Sequence, residues 1–158
     1  MVQNFTLVAV KPGSPIDNSP ITASHSGLHL KSHDQPATFQ LKNDELFLYA
    51  DPPSQKLYTD RSGMGQGILQ YTHDAQQAST LNPNRIEQSG WAVDAGGKLQ
   101  LRGAHFLATP PSGGSGGADW RVWMNTGNPN PAGQTGGVEF EAKVVAVGHP
   151  VGKHYSNL

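Results

Sequence analysis

The sequence predicts an all-β domain, read as a β-trefoil of three pseudo-repeats, with a Greek-key β-sandwich as the alternative. Three observations carry this. Apolar and polar residues alternate with a period of two in several segments; Gly and Pro are dense, at 19 and 12 of 158 residues; and aromatic residues open comparable units about every 50 residues, at Phe39, Trp91 and Phe140. Strict alternation places successive side chains on opposite faces of a strand. Frequent Gly and Pro suit many short strands joined by turns rather than a helical bundle. A threefold repeat of hairpins without helices is what a trefoil requires.

The elements follow in order. Residues 5–10 form the first expected strand and residues 21–30 a second. Residues 37–41 alternate, Asn43-Asp44 supplies a turn, and residues 46–49 resume the strand. Residues 56–58 and 67–71 then give the third and fourth strands of that unit. The next unit repeats the plan: Trp91 and Val93 alternate with polar neighbours, Gly96-Gly97 turns, and residues 99–101 return. Residues 105–108 and 120–124 follow. Residues 138–144 open the last unit, which the two N-terminal strands would complete. The whole chain, 1–158, is therefore expected to be one domain around one core.

Composition excludes several roles. Eleven basic residues balance twelve acidic ones for a net charge of −1, so no basic stripe offers a nucleic-acid surface. No apolar run is long enough for a membrane span, and no leader segment is recognisable before the first strand. Without cysteine there is no disulfide framework, thiolate nucleophile or Cys-based zinc site. No metal and no cofactor are expected.

Each candidate constellation has a plain structural competitor. His25, His29 and His33 alternate with Leu28 and Leu30, so on a strand they lie too far apart to share a metal ion. Ser62 lacks the nucleophile-elbow pattern. Asp60, Asp94 and Asp119 could pair on paper with Glu45 or Glu87 as glycosidase carboxylates, but twelve acids always allow such pairs, and the expectation is no enzyme. The Ser112 to Gly117 stretch reads as a flexible hairpin tip.

The block from Asp60 to Gly67 reads first as structure. Asp60 can hold turn N–H groups, Gly63, Gly65 and Gly67 can take positive φ, and Arg61 can pin carbonyls of a tight crossover loop. The competing reading makes it a binding loop with Arg61 and Gln66 facing a ligand. In the strand at 120–124, Trp120, Val122 and Met124 share one face and should be buried. That leaves Trp123 with Arg121 and Asn125 on the other, an indole among hydrogen-bonding groups, as a sugar site would need. Asn4-Phe5-Thr6 is an N-glycosylation sequon with Asn4 as acceptor.

The string Tyr58-Thr59-Asp60-Arg61-Ser62-Gly63-Met64-Gly65-Gln66-Gly67 resembles the corresponding block of the PhiA-like fungal cell-wall proteins, the family named for phialide development. Flanking segments agree: residues 44–50, 90–94 and 106–110, then Trp120-Arg121-Val122-Trp123 and Asn130-Pro131-Ala132-Gly133. The resemblance implies a secreted, non-enzymatic protein of the cell wall and spore-bearing structures, with wall polysaccharide or wall proteins as partners. The family's cysteines usually stand where this chain has Thr109, Gly137 and His154, so here the core must fold without covalent help. A lectin-like carbohydrate-binding module is the alternative function. Ricin-type lectins mark each repeat with Gln-x-Trp, and Arg121-Val122-Trp123 keeps only the tryptophan. A protease inhibitor with Arg61 on a projecting loop is the third.

Overall fold

The computed structural model describes residues 3–24, 26–49, 55–63, 65–72, 82, 84–111 and 119–148, and within them the chain is all-β. The strands are β1 (Gln3–Val10), β2 (Thr22–Ser24), β3 (Gly27–Leu30), β4 (Phe39–Lys42), β5 (Glu45–Leu48), β6 (Leu57–Asp60) and β7 (Ile68–Tyr71). They continue as β8 (Ile86–Glu87), β9 (Trp91–Val93), β10 (Lys98–Leu101), β11 (Phe106–Thr109), β12 (Trp120–Met124) and β13 (Val138–Ala146). A single 3-10 turn, Pro131–Gly133, lies between the last two. No helix among the described residues is long and apolar enough to cross a membrane.

All strand pairings are antiparallel, and they fall into two sets. In the first, β1 lies between β13 and β4, β4 pairs with β5, and β10 lies between β9 and β13. The gap between β5 and β9 is spanned by the Glu45–Ser89 bridge and by Gly90 and Trp91 N–H groups donating to Asp44 O. In the second set, three hairpins, β2–β3, β6–β7 and β11–β12, come together through β3–β12, β3–β7 and β7–β12 pairings. Together these hairpins form a cap. The two sets join where β11 pairs with β13.

Alternation dictates what is buried. Phe5, Leu7 and Ala9 of β1 point into the core while the residues between them are half-buried. On β13, Phe140 and Ala142 are buried while Glu139, Glu141 and Lys143 are exposed. The three unit-opening aromatics, Phe39, Trp91 and Phe140, belong to one buried cluster. Phe39 stacks on Phe5 with ring centroids 6.1 Å apart, and Trp91 and Phe140 both stack on Phe106, at 6.5 and 5.6 Å. Each such aromatic pair adds about 0.5–1.5 kcal/mol beyond area burial.

One expected strand is divided. Residues 21–30 form a tight hairpin, β2 and β3, because Ser26 adopts a positive φ of 63° and reverses the chain. The alternation of Leu28 with His29 survives within β3 alone. His33 lies beyond the end of β3 and is exposed, so it does not share a strand face with His29; His25 is outside the described residues. The Ser112 to Gly117 stretch is likewise outside them, between the paired strands β11 and β12.

Candidate functional site

The loop from Arg61 to Gly67 closes the β6–β7 hairpin, and its polar groups are engaged within the fold. It is a hairpin end, not the expected crossover. Asp60 Oδ1 accepts from Ser62 N (2.9 Å) and from Ser62 Oγ (2.6 Å), while Arg85 reaches both Ser62 Oγ (3.1 Å) and Asp60 Oδ2 (3.5 Å). Backbone bonds complete the turn: Gly67 N to Asp60 O at 2.7 Å and Gln66 N to Ser62 O at 2.9 Å. An Asp at the start of a turn satisfying two groups further along is the ordinary Asx arrangement.

The glycines serve different ends from those expected. Of Gly63, Gly65 and Gly67, only Gly67 has a positive φ, 94°; among the described residues of the loop Gln66, at 52°, is also left-handed. Gly65 is required by close approach instead, because a Cβ there would run into the Asp60 side chain and stand 2.5 Å from Asp60 O. Gly63 has open space around it. Met64 is outside the described residues.

Among the described residues Arg61 pairs with an acid rather than with loop carbonyls. Its Nε pairs with Glu87 Oε1 at 3.1 Å, and Arg102 Nε stands at ion-pair distance, 3.2 Å, from the other Glu87 oxygen without a hydrogen bond to it. The carboxylate thus bridges two arginines on one side of β6. Arg61 is therefore paired with an acid while its residue stays exposed. Gln66 is also occupied: its Oε1 accepts from Ala132 N (2.8 Å) and Asn128 Nδ2 (3.1 Å). The loop so holds the Pro131–Gly133 turn beside the cap.

That turn helps form a cleft of about 340 Å³ on the outer side of the cap. Its walls include His29, Arg121 and Trp123 from the strands, Pro110 beyond β11, and Ala132 and Gln134 from the turn. The strand parity of β12 is as expected: Val122 and Met124 are in the core with Trp120 packed against it. Exposure of the other face is not. Trp123 is only 5% exposed, and its indole N–H donates to Thr109 Oγ1 at 3.0 Å on the neighbouring strand. An open stacking platform is thereby ruled out for Trp123. The reason is tertiary: strand alternation says which face a residue takes, not what later chain packs over it. Asn125 does not join this cleft. It lies at a second hollow of about 670 Å³ with Lys11, His105 and Glu141, where its Oδ1 accepts from Gly127 N at 3.0 Å.

Electrostatics single out Arg121. Burial pushes its pKa below the ordinary arginine value, with the Tyr71 phenol acting in the opposite sense. Tyr58, on the adjacent hairpin, is pushed up by burial and then by the Asp60 charge. Among the described residues no cluster of His, Asp and Glu could hold a metal ion. Asn4 sits within β1 opposite Gln40, whose amide donates to its Oδ1 at 2.7 Å. Sequence reasoning missed Arg85 and Arg102, and named Glu87 and Thr109 without the partners they find here. Only Thr109 had a usable signal, since a buried indole N–H needs an acceptor on a neighbouring strand.

A family described as PhiA, PhiA-like secreted protein, matches residues 5–156. The chain is 39% identical over 157 residues to the cell wall protein phiA of Aspergillus fumigatus, covering 92% of this chain and 81% of that one. It is 36% identical over 157 residues to the cell wall protein phiA of Aspergillus niger, covering 92% and 82%. With the cell wall protein phiA of Emericella nidulans the identity is 32% over 154 residues, covering 98% and 77%. No solved structure gives a significant match.

Proposed function

Because this chain belongs to the PhiA-like secreted protein family, we propose that it is a secreted, non-enzymatic component of the fungal cell wall, a β-trefoil scaffold with a structural or interaction role there. The observation that carries this reading is the state of the Asp60 to Gly67 block, the most distinctive part of the sequence. Its carboxylate and hydroxyl hold each other and the loop backbone, its arginine is paired with Glu87, and its glutamine holds the neighbouring turn. Groups so committed give rigidity rather than chemistry. The trefoil reading is supported by the pairing pattern: a run of strands from β1 that returns to β1 through β13, and three hairpins that pair with one another at one end.

The relatives' shared name places them in the wall, and the wall is where the test lies. Purified protein is mixed with isolated Aspergillus walls and sedimented, and reducing ends released from glucan, chitin and mannan are assayed in parallel. Retention in the wall pellet without release of sugar is expected. Protein that stays wholly in the supernatant, or catalytic release from any polymer, would overturn the reading.

One observation favours a second reading, a carbohydrate-binding module: the cap cleft brings Arg121 and Trp123 together. Oligosaccharides of the same polymers, titrated against tryptophan emission, test it directly. An Asn4 glycan would replace one amide hydrogen of a side chain already bonded to Gln40; the mass of the secreted protein before and after deglycosylation decides that point.

A further inference from the structure

A half-buried cation with no carboxylate partner among the described residues is a feature of the cap that scaffolding leaves unused. Arg121 lies in mid-strand, paired to Thr109 of β11 on one side and His29 of β3 on the other. Its guanidinium lies against Gly27: a Cβ built there would stand 2.7 Å from Cζ and 2.9 Å from Nε. Gly27 therefore makes the room into which this side chain fits. Its Nε is buried without a hydrogen-bond partner, and no carboxylate among the described residues stands within ion-pair distance of it. Asp119 borders the same cleft without forming that pair.

Arginine keeps its charge at neutral pH even when burial lowers its pKa. A desolvated charge with no partner destabilises a fold, and an apolar residue of similar volume fills such a site at no such cost. The cleft beside it is walled by the turn that Gln66 holds, and its volume admits about one monosaccharide-sized unit.

We propose that the cap cleft binds a single oxyanion carried on a sugar, a carboxylate or a phosphate ester, with Arg121 as its charge partner and Trp123 and the Pro131–Gly133 turn as walls. The cleft then selects acidic over neutral saccharides. This deepens the carbohydrate-binding reading and rests on the wall reading only for the source of such acids.

The test uses the full chain at fixed ionic strength, titrated separately with glucuronate, mannose 6-phosphate and glucose while tryptophan emission is followed. Saturable binding is expected for at least one of the two acids, and the acid that binds identifies carboxylate or phosphate as the source. Binding should weaken about tenfold or more for glucose and for Arg121→Met, and weaken with added salt. No saturable response to either acid at millimolar concentration, equal affinity for glucose, or full affinity in Arg121→Met overturns the proposal. Should Arg121→Met fail to fold, the acid-against-neutral comparison on the unaltered chain decides alone. An Arg121→Met protein that loses acid binding yet still sediments with walls assigns the site and leaves the scaffold role standing separately.

Discussion

Replacing Gly65 by alanine tests the reason for the most distinctive loop of this chain. The added Cβ would meet the Asp60 side chain and stand 2.5 Å from Asp60 O, so Asp60 must move. That carboxylate holds Ser62 N and Ser62 Oγ, and its carbonyl takes Gly67 N at 2.7 Å. Losing the geometry of one bond to a charged acceptor costs about 1.5–3 kcal/mol, and disturbing the backbone bond about 1 more. The gain from a stiffer unfolded chain returns about 0.4–1 kcal/mol. The expected net loss is about 2–3 kcal/mol, which at this chain length lowers the melting temperature by roughly 4–12 °C. Gly63→Ala is the matched control, because its φ is outside the left-handed region and nothing lies within 4 Å. It should leave stability unchanged or raise it slightly, by about 0.4–1 kcal/mol. Denaturant unfolding followed by tryptophan emission, with calorimetry alongside, measures both. If the two alanine variants prove indistinguishable, or Gly65→Ala melts like the unaltered protein, the close-approach argument is wrong.

Three further outcomes follow from the same geometry. Thr109→Val should cost about 1–3 kcal/mol in chemical unfolding, because it strips the buried Trp123 indole of its acceptor while keeping the shape of the side chain. Gln66 has a φ of 52° and also clamps Ala132 and Asn128; Gln66→Gly and Gln66→Ala both lose the clamp, but glycine should be the less damaging by roughly 1 kcal/mol because it relieves the backbone. Asp94 has its pKa lowered, first by the bond from Lys98 N and also by that from Gly96 N. A lowered folded pKa gives stability that is present above the unfolded value and lost as pH falls through the folded one. The melting difference between the unaltered protein and Asp94→Asn should therefore be larger at about pH 7 than below the ordinary carboxylate range.

The strand scaffold was legible because the pattern that encodes it is local. Phe5, Leu7 and Ala9, or Phe140 and Ala142, alternate with polar residues whatever the rest of the chain does, and turns at Asn43 and Gly97 announce themselves by residue type. The break at Ser26 is missed, although Ser26-Gly27 is a turn dipeptide, because the alternation of His29 with Leu28 and Leu30 reads as one continuous strand. Arg61 illustrates a second limit. Its fork of donors suggested local carbonyls, but the partner it finds is Glu87, on a strand reached only through tertiary pairing of β6 with β8. Trp123 illustrates a third: its face on β12 was readable, whereas its burial and its bond to Thr109 on the neighbouring strand depend on tertiary packing. The cap cleft was accordingly half visible, as Arg121 beside Trp123, while the missing counter-charge and the Gly27 recess needed three dimensions.

Of all the described strands β13 leaves the ribosome last, and three others, β1, β10 and β11, wait for it. It pairs with β1 over six positions from Phe5↔Ala146 to Val10↔Glu141, and with β10 and β11 as well. No ordered sheet can form around β1 on that side until more than a hundred intervening residues have been synthesised. Contacts so distant in sequence make folding slow and post-translational. For a secreted family this has a use: a polypeptide that cannot close prematurely stays threadable through a translocation pore. Removing β13 should then leave not a smaller domain but a chain that never acquires cooperative structure, a substrate for quality control instead of a wall protein.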